Sequence, residues 1–212
     1  MTGGADRFAH NRVLQGLAAW YLFIWIVLAI SPLDRQDWLL ENLLALTTVG
    51  LLLWSYRTFQ FSNLSYVLIT LFMTLHAIGA HYTYSEVPIG FWMKEAFGLS
   101  RNHFDRIVHF AFGLLLAYPA HELFLRAARA KEPWASFFAI TAVLSLSGFF
   151  EVIESWVAQI VSPELGQAYL GTQGDIWDAQ KDMTVALVGA VVTIGLTRMS
   201  KFPFGSVITP AH

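Results

Sequence analysis

Apolar positions in this chain gather into six long runs rather than alternating, and each run is closed by charged or turn-forming residues. A bilayer core takes about 20 mostly apolar residues per helix, and runs of that order lie at about residues 13–31, 38–56, 64–84, 105–126, 134–161 and 178–198. The pattern predicts an all-α fold: a polytopic integral membrane protein, a six-transmembrane-helix bundle in one domain over 1–212. The fifth run exceeds a minimal span and is expected to tilt or to project beyond the hydrocarbon. The sixth is rich in Gly, Val and Thr, which admits a strand; a lone strand in lipid leaves its backbone unpaired, so a helix is expected. Arg7 and Arg12 ahead of the first run resemble a signal peptide. That run is too long for an h-region and further spans follow, so a retained helix is expected. The two long connections, about 85–104 and 162–177, read as loops.

Six spans put both termini on one side. Arg7, Arg12, Arg57, Arg126, Arg129, Lys131, Arg198 and Lys201 share that side, against Arg35, Lys94, Arg101, Arg106 and Lys181 on the other. The positive-inside rule therefore predicts that both termini lie on the inner, cytoplasmic side. Trp20, Trp25, Trp38, Trp54, Trp134, Trp156 and Trp177 are spread through the spans and their ends, where interfacial aromatics belong.

Composition agrees with a lipid environment: 56% of residues are hydrophobic, 13% are charged, and mean hydropathy is +0.52, against about 25% charged residues in a soluble domain. A net charge of -2 and no basic stripe exclude a nucleic-acid partner. The absence of cysteine excludes disulfides, thiolate metal sites and a cysteine nucleophile.

Counting along each helix at about 1.5 Å per residue gives every unusual polar residue a depth. His76 and His81 end the third run; His103, Asp105 and His109 begin the fourth. Glu151 and Glu154 lie late in the fifth, Asp175, Asp178, Lys181 and Asp182 lead into the sixth, and Glu41 with Asn42 sits early in the second. All share one end of the bundle. His121 and Glu122 lie about 18 Å deeper than His109 and are set aside.

Asp105 with His109, Glu151 with Glu154, and Asp178 with Asp182 each share a helix face. Ionisable groups at membrane depth are costly and usually mark function, and a cation would let two neighbouring glutamates stay ionised. The donors are imidazole nitrogen and carboxylate oxygen without sulfur, which suits a divalent metal, zinc favoured, with iron or manganese as alternatives. Candidate ligands are His76, His81, His103, His109, Glu151, Glu154, Asp175 and Asp178. Helix bundles build di-metal sites from inward Glu and His, although no Glu-x-x-His pair occurs here. Simpler roles stand beside this one. Each histidine is open to an ordinary hydrogen-bonded role, Asp105, Asp175 and Asp178 to helix capping, and Glu151 and Glu154 to pairing with Arg101, Arg106 and Lys181. Glu41 reads as structural.

The stretches His76-Ala77-Ile78-Gly79-Ala80-His81-Tyr82-Thr83-Tyr84, Arg101-Asn102-His103-Phe104-Asp105-Arg106 with His109-Phe110, and Phe150-Glu151-Val152-Ile153-Glu154 are distinctive. So is the run Gly171-Thr172-Gln173-Gly174-Asp175-Ile176-Trp177-Asp178-Ala179-Gln180-Lys181-Asp182-Met183. Together they resemble the YjdF-like bacterial inner-membrane protein family over nearly the whole chain. The resemblance implies a polytopic cytoplasmic-membrane protein and carries no activity with it.

The residues lead to an expected function: a metal-dependent intramembrane hydrolase of a lipid or lipid-linked substrate, with its site at the outer face. Metal would activate a water, Asp105 or Asp182 would take its proton, and Arg101, Arg106 and Lys181 would hold an anionic head group. Membrane lipids and a small-molecule or lipid substrate are the expected partners. A two-iron oxidase is a redox version of the same site. Proton- or ion-coupled transport through Glu151, Glu154 and Asp182, and a metal-stabilised structural protein, are the rivals.

Overall fold

The structure is a computed structural model that describes residues 8–199, so Arg7 and Lys201, counted for orientation, lie outside the described residues. Among the described residues it is helical, with no strand. In chain order the helices are α1 (Arg12–Leu28), α2 (Arg35–Ser55), α3 (Asn63–His81), α4 (Pro88–Phe97), α5 (Phe104–Arg126), α6 (Trp134–Ile160), α7 (Pro163–Leu170) and α8 (Asp178–Met199). Helices α2, α3, α5, α6 and α8 are long and apolar enough to cross a membrane, whereas α1 has 17 residues, or about 26 Å at the helical rise. Trp20, Phe23, Leu53, Trp54, Phe149 and Leu196 point outward and are exposed. A belt of that kind is stable where the surrounding solvent is hydrocarbon.

Local sequence sets the helix ends. Asn11, Asp34, Ser62 and Ser162 each accept a hydrogen bond from a first-turn N–H, giving those orphan donors a partner. Helices α4 and α7 begin on Pro88 and Pro163 and stop at Gly98 and Gly171, whose φ of 63° and 58° lies in the left-handed region.

The tightest packing joins α5 to α8. A Cβ on Gly113 would lie 1.8 Å from the Ala186 carbonyl oxygen, and one on Gly189 would lie 2.4 Å from that of Phe110. The helices therefore touch backbone to backbone, and Thr193 donates to the Leu114 carbonyl at 2.5 Å. Lipid tails are as apolar as side chains, so such an interface gains from close approach and small residues rather than from hydrophobic expulsion. Ala117, Ala186 and Ala190 are completely buried there, and Ala139 of α6 joins the same core. Contacts advance together along both helices, Arg106 to Asp178, Gly113 to Ala186 and Leu114 to Thr193, so the pair runs parallel. A second core of Ala45, Ile69, Phe72, Met73, Phe104 and Val108 joins α2, α3 and α5.

Several expectations are corrected here. The first helix stops at Leu28 and the third at His81, each followed by a turn with positive φ at Ser31, Thr83 and Tyr84. The two long connections hold α4 and α7 rather than loops alone. Asp105 does not cap α5: Asn102 Oδ1 accepts from Phe104 N at 3.0 Å, leaving Asp105 inside the first turn.

Candidate functional site

The parallel α5–α8 pair fixes what meets at its N-terminal end. One turn before the Gly113 contact, His109 of α5 comes beside Asp182 of α8, and Asp105 lies a further turn back. One donor atom from each of Asp105, His109 and Asp182 lies within 4.8 Å of the other two. Among the described residues this is the one group of three or more His, Asp or Glu side chains spaced to hold an ion. His109 Nε2 stands 3.5 Å from Asp105 Oδ1 and 3.7 Å from Glu151 Oε1 on α6. Asp182 Oδ1 and Glu151 Oε1 are buried with no hydrogen-bond partner. Buried oxygens of that kind ordinarily find a partner, so their orientation suits a positively charged guest.

Two arginines brace this set. Arg106 pairs with Asp182, places Nη2 2.6 Å from Asp178 Oδ1 and 3.2 Å from Asp175 Oδ2, and donates from Nη1 to the Asp178 carbonyl at 2.9 Å. Arg101 reaches Asp178 Oδ1 at 2.5 Å and donates to the carbonyls of Thr172 and Gly171. Asn102 and Gln173 exchange hydrogen bonds at 3.0 and 2.9 Å, which clasps the two loops together. Both guanidiniums are buried and spent on the protein, whereas Lys181 is exposed and holds Asp175 at 2.7 Å. Hydrogen bonds from Lys181 and then from the Trp177 N–H hold the Asp175 carboxyl below the ordinary carboxylate range. Burial, followed by the charges of Arg101 and Arg106, pushes the His103 imidazole down.

The eight expected ligands divide. His109 belongs to the triad, with Glu151 beside it and Glu154 one turn along α6, hydrogen-bonded to Glu151. Asp175 and Asp178 serve the arginines, with Asp175 Oδ1 also accepting from Trp177 N at 3.1 Å. His76 spends Nδ1 on the Tyr84 hydroxyl at 2.5 Å and Nε2 on the Glu41 carbonyl at 3.1 Å. His81 donates to the Leu28 carbonyl at 2.8 Å, tying α3 to α1. His103 precedes α5 outside the triad. Asp105 and Asp182, expected as proton carriers, lie beside His109 in the triad.

Residues missed by sequence reasoning are Asp37, Tyr84 and Tyr169, together with a larger part for Glu41. Asp37 and Glu41 are i,i+4 on α2, and both are buried; the spacing rule applied to Asp105 and His109 would have found them. Burial, then the nearby charges of Glu41, Asp105, Glu154 and Asp37, pushes the Tyr84 phenol well above its ordinary value. At the opposite end of the bundle, Glu122 accepts from Ser62 N and Oγ at 2.8 Å each and also pairs with Ser65 and Arg126. His121 pairs there with Glu132.

Comparison with known proteins places the chain in a wider group. The profile of a family described as "Predicted membrane protein (DUF2238)" matches residues 13–201. The "Inner membrane protein YjdF" of Escherichia coli strain K12 is 37% identical over 183 residues, covering 86% of this chain and 87% of that protein. No solved structure matches.

Proposed function

We propose, from the premise that this chain belongs to the DUF2238 family of predicted membrane proteins and resides in the bacterial inner membrane, that it is a metal-dependent intramembrane hydrolase of a lipid or lipid-linked ester. The reading takes all six long apolar helices as spans, α1 included, with termini in the cytoplasm and the acid-rich end outside. The observation that carries it is the convergence of Asp105, His109 and Asp182 within 4.8 Å, on two helices locked at backbone contact. A divalent ion held there would supply a water acidic enough to attack at neutral pH. Glu151, whose Oε1 is buried, unpartnered and 3.7 Å from His109, is placed to accept the proton, with Glu154 behind it.

Arg106 acts on this reading as a positioning residue, holding Asp182 as outer partners hold metal ligands. Anion capture at the mouth falls to the exposed Lys181 rather than to Arg101 or Arg106, whose donors are spent on aspartates and loop carbonyls. Exposed Ile89, Trp92 and Phe97 on α4, with Ile176 and Trp177, surround that end with apolar and interfacial side chains suited to a lipid substrate. Proton-coupled transport needs titratable groups free in the other half of the bundle as well. There Glu122 is tied to Ser62, Ser65 and Arg126, and His121 to Glu132.

Elemental analysis of the detergent-purified full-length protein tests the reading, beside His109→Ala and Asp182→Asn variants shown to be folded by their melting. Near-stoichiometric zinc, iron or manganese in the parent and its loss from the variants is expected. No metal in the parent after reconstitution would overturn it.

A further inference from the structure

Helix α4 stands apart from the bundle. Each of the other helices named above packs along at least one neighbour, whereas α4 has no helix packed along it. Its mooring is at its start instead. The Val87 carbonyl, just ahead of α4, accepts from Asn102 Nδ2 at 3.0 Å, and Oδ1 of the same side chain accepts from Phe104 N in the first turn of α5. A Cβ on Gly90 would lie 1.7 Å from Asn102 Oδ1, so α4 seats this closely only with glycine there. Asn102, buried, is thereby a pin that sets the start of α4 at the depth where α5 begins, which is the end of a membrane span.

The pin also fixes which way α4 faces. Residues two apart on a helix point about 200° apart, so with Gly90 against the body Trp92 is turned away from it. Lys94, one turn past Gly90, shares the inward face and is half-buried. Ile89, Trp92, Met93 and Ala96 follow the i, i+3, i+4, i+7 spacing of a single apolar stripe. Ile89 and Trp92 are 56% and 62% exposed, and the Phe97 ring meets that of Trp92 edge-on at 6.4 Å.

An exposed apolar stripe marks a contact surface, and three observations say what covers this one. The depth set by Asn102 brings α4 to the edge of the bilayer rather than out into bulk water. Lys94 and Glu95 on the same helix exclude the hydrocarbon centre, where such groups are costly. The exposed apolar belt of the spanning helices continues to this end, with Ile107 exposed just past the start of α5. A short helix with an apolar face, a tryptophan and flanking charges is suited to the boundary between headgroups and acyl chains.

We propose that α4 is an in-plane interfacial helix, seated in the lipid headgroup region at the acid-rich end with Ile89, Trp92, Met93 and Ala96 turned toward the acyl chains. The partner is the surface of the bilayer the protein already spans. Because Asn102 also exchanges hydrogen bonds with Gln173, the loop around Gly171 is moored to the same lipid level. The proposal does not depend on a metal at Asp105, His109 and Asp182, so either can fail alone.

Nitroxide labels on single cysteines, introduced into the full-length cysteine-free chain and reconstituted into phosphatidylethanolamine–phosphatidylglycerol vesicles, read this directly. Oxygen concentrates in lipid and a nickel chelate in water, so the ratio of their effects on the label reports depth. Ile89→Cys, Trp92→Cys and Ala96→Cys are expected to favour oxygen several-fold over Glu95→Cys and over Lys131→Cys, an exposed reference at the opposite end. They are expected to stay below Leu46→Cys on the outward face of α2. Ratios equal to that of Lys131→Cys would put α4 in water and overturn the proposal. Labels reached by neither collider would mean that a protein surface, a second copy included, covers the stripe, and this also overturns it. Ratios as high as that of Leu46→Cys all round the helix would overturn the interfacial seat. Should Trp92→Cys fail to fold, Ile89→Cys and Ala96→Cys carry the same comparison.

Discussion

Arg106 shows how one side chain serves both stability and the site. It is buried and bonded to Asp178, Asp175 and Asp182, and replacing it strands Asp182, since Asp178 keeps Arg101 and Asp175 keeps Lys181. Arg106→Met is therefore expected to cost about 3–5 kcal/mol, the range for breaking a buried pair, read by thermal melting, and to lower metal occupancy through Asp182. Asp175 gives a pH signature. Its pKa is depressed in the folded chain by Lys181 and the Trp177 N–H, so it contributes stability above the ordinary carboxylate pKa of about 3.9. That contribution is lost as pH falls through the lower folded value. Asp175→Asn is expected to flatten the acid limb of a melting-temperature profile and leave its neutral region nearly parallel to the parent; identical acid limbs would refute the assignment. At this scale the sequence showed which residues share an end of the bundle but not who partners whom. Spacing along Asp178 and Asp182 reveals a shared face. That Arg101 from the α4–α5 connection and Arg106 from α5 meet these aspartates depends on the α5–α8 register, which no local pattern encodes.

Gly113 and Gly189 set that register at the element scale. Alanine is the better helix former by about 1 kcal/mol, yet a Cβ on Gly113 would meet the Ala186 backbone at 1.8 Å, and a backbone neighbour does not yield as a side-chain end does. Overpacking of about 1–3 kcal/mol then wins, so Gly113→Ala is expected to melt lower and to lose metal as α5 and α8 separate. Gly195, on the same α8 with nothing within 4 Å of its Cβ position, is the control: Gly195→Ala is expected to be neutral or slightly stabilising. The long apolar helices were legible because a membrane writes them as runs of fixed length. Helices α4 and α7 were not, since 10 and 8 residues fall below any span-length signal. Their markers were nonetheless present, a Pro at the start of each and a Gly just past the end.

Over the whole molecule, polarity separates into a carboxylate-rich end and an end tied by Glu122, Arg126, His121 and Glu132. The chain has no native cysteine, so sidedness is open to single-cysteine labelling. Ile176→Cys, at an exposed position on the acid-rich end, is expected to react with an impermeant thiol reagent in intact cells. Lys131→Cys, exposed at the opposite end, is expected to react only after the membrane is opened. The reverse pattern would turn the site toward the cytoplasm.

Helices α2, α5 and α8 all begin at the acid-rich end, and each carries an aspartate in its first turn: Asp37, Asp105 and Asp178. Each helix start bears the equivalent of about half a positive elementary charge from its aligned peptide dipoles. Three such ends aimed at one cluster act as a fixed positive lining that no side chain supplies and no proton can remove. The field at the mouth is therefore less repulsive than a count of carboxylates implies, and on the proposed reading an anionic ester would meet backbone dipoles as well as acids.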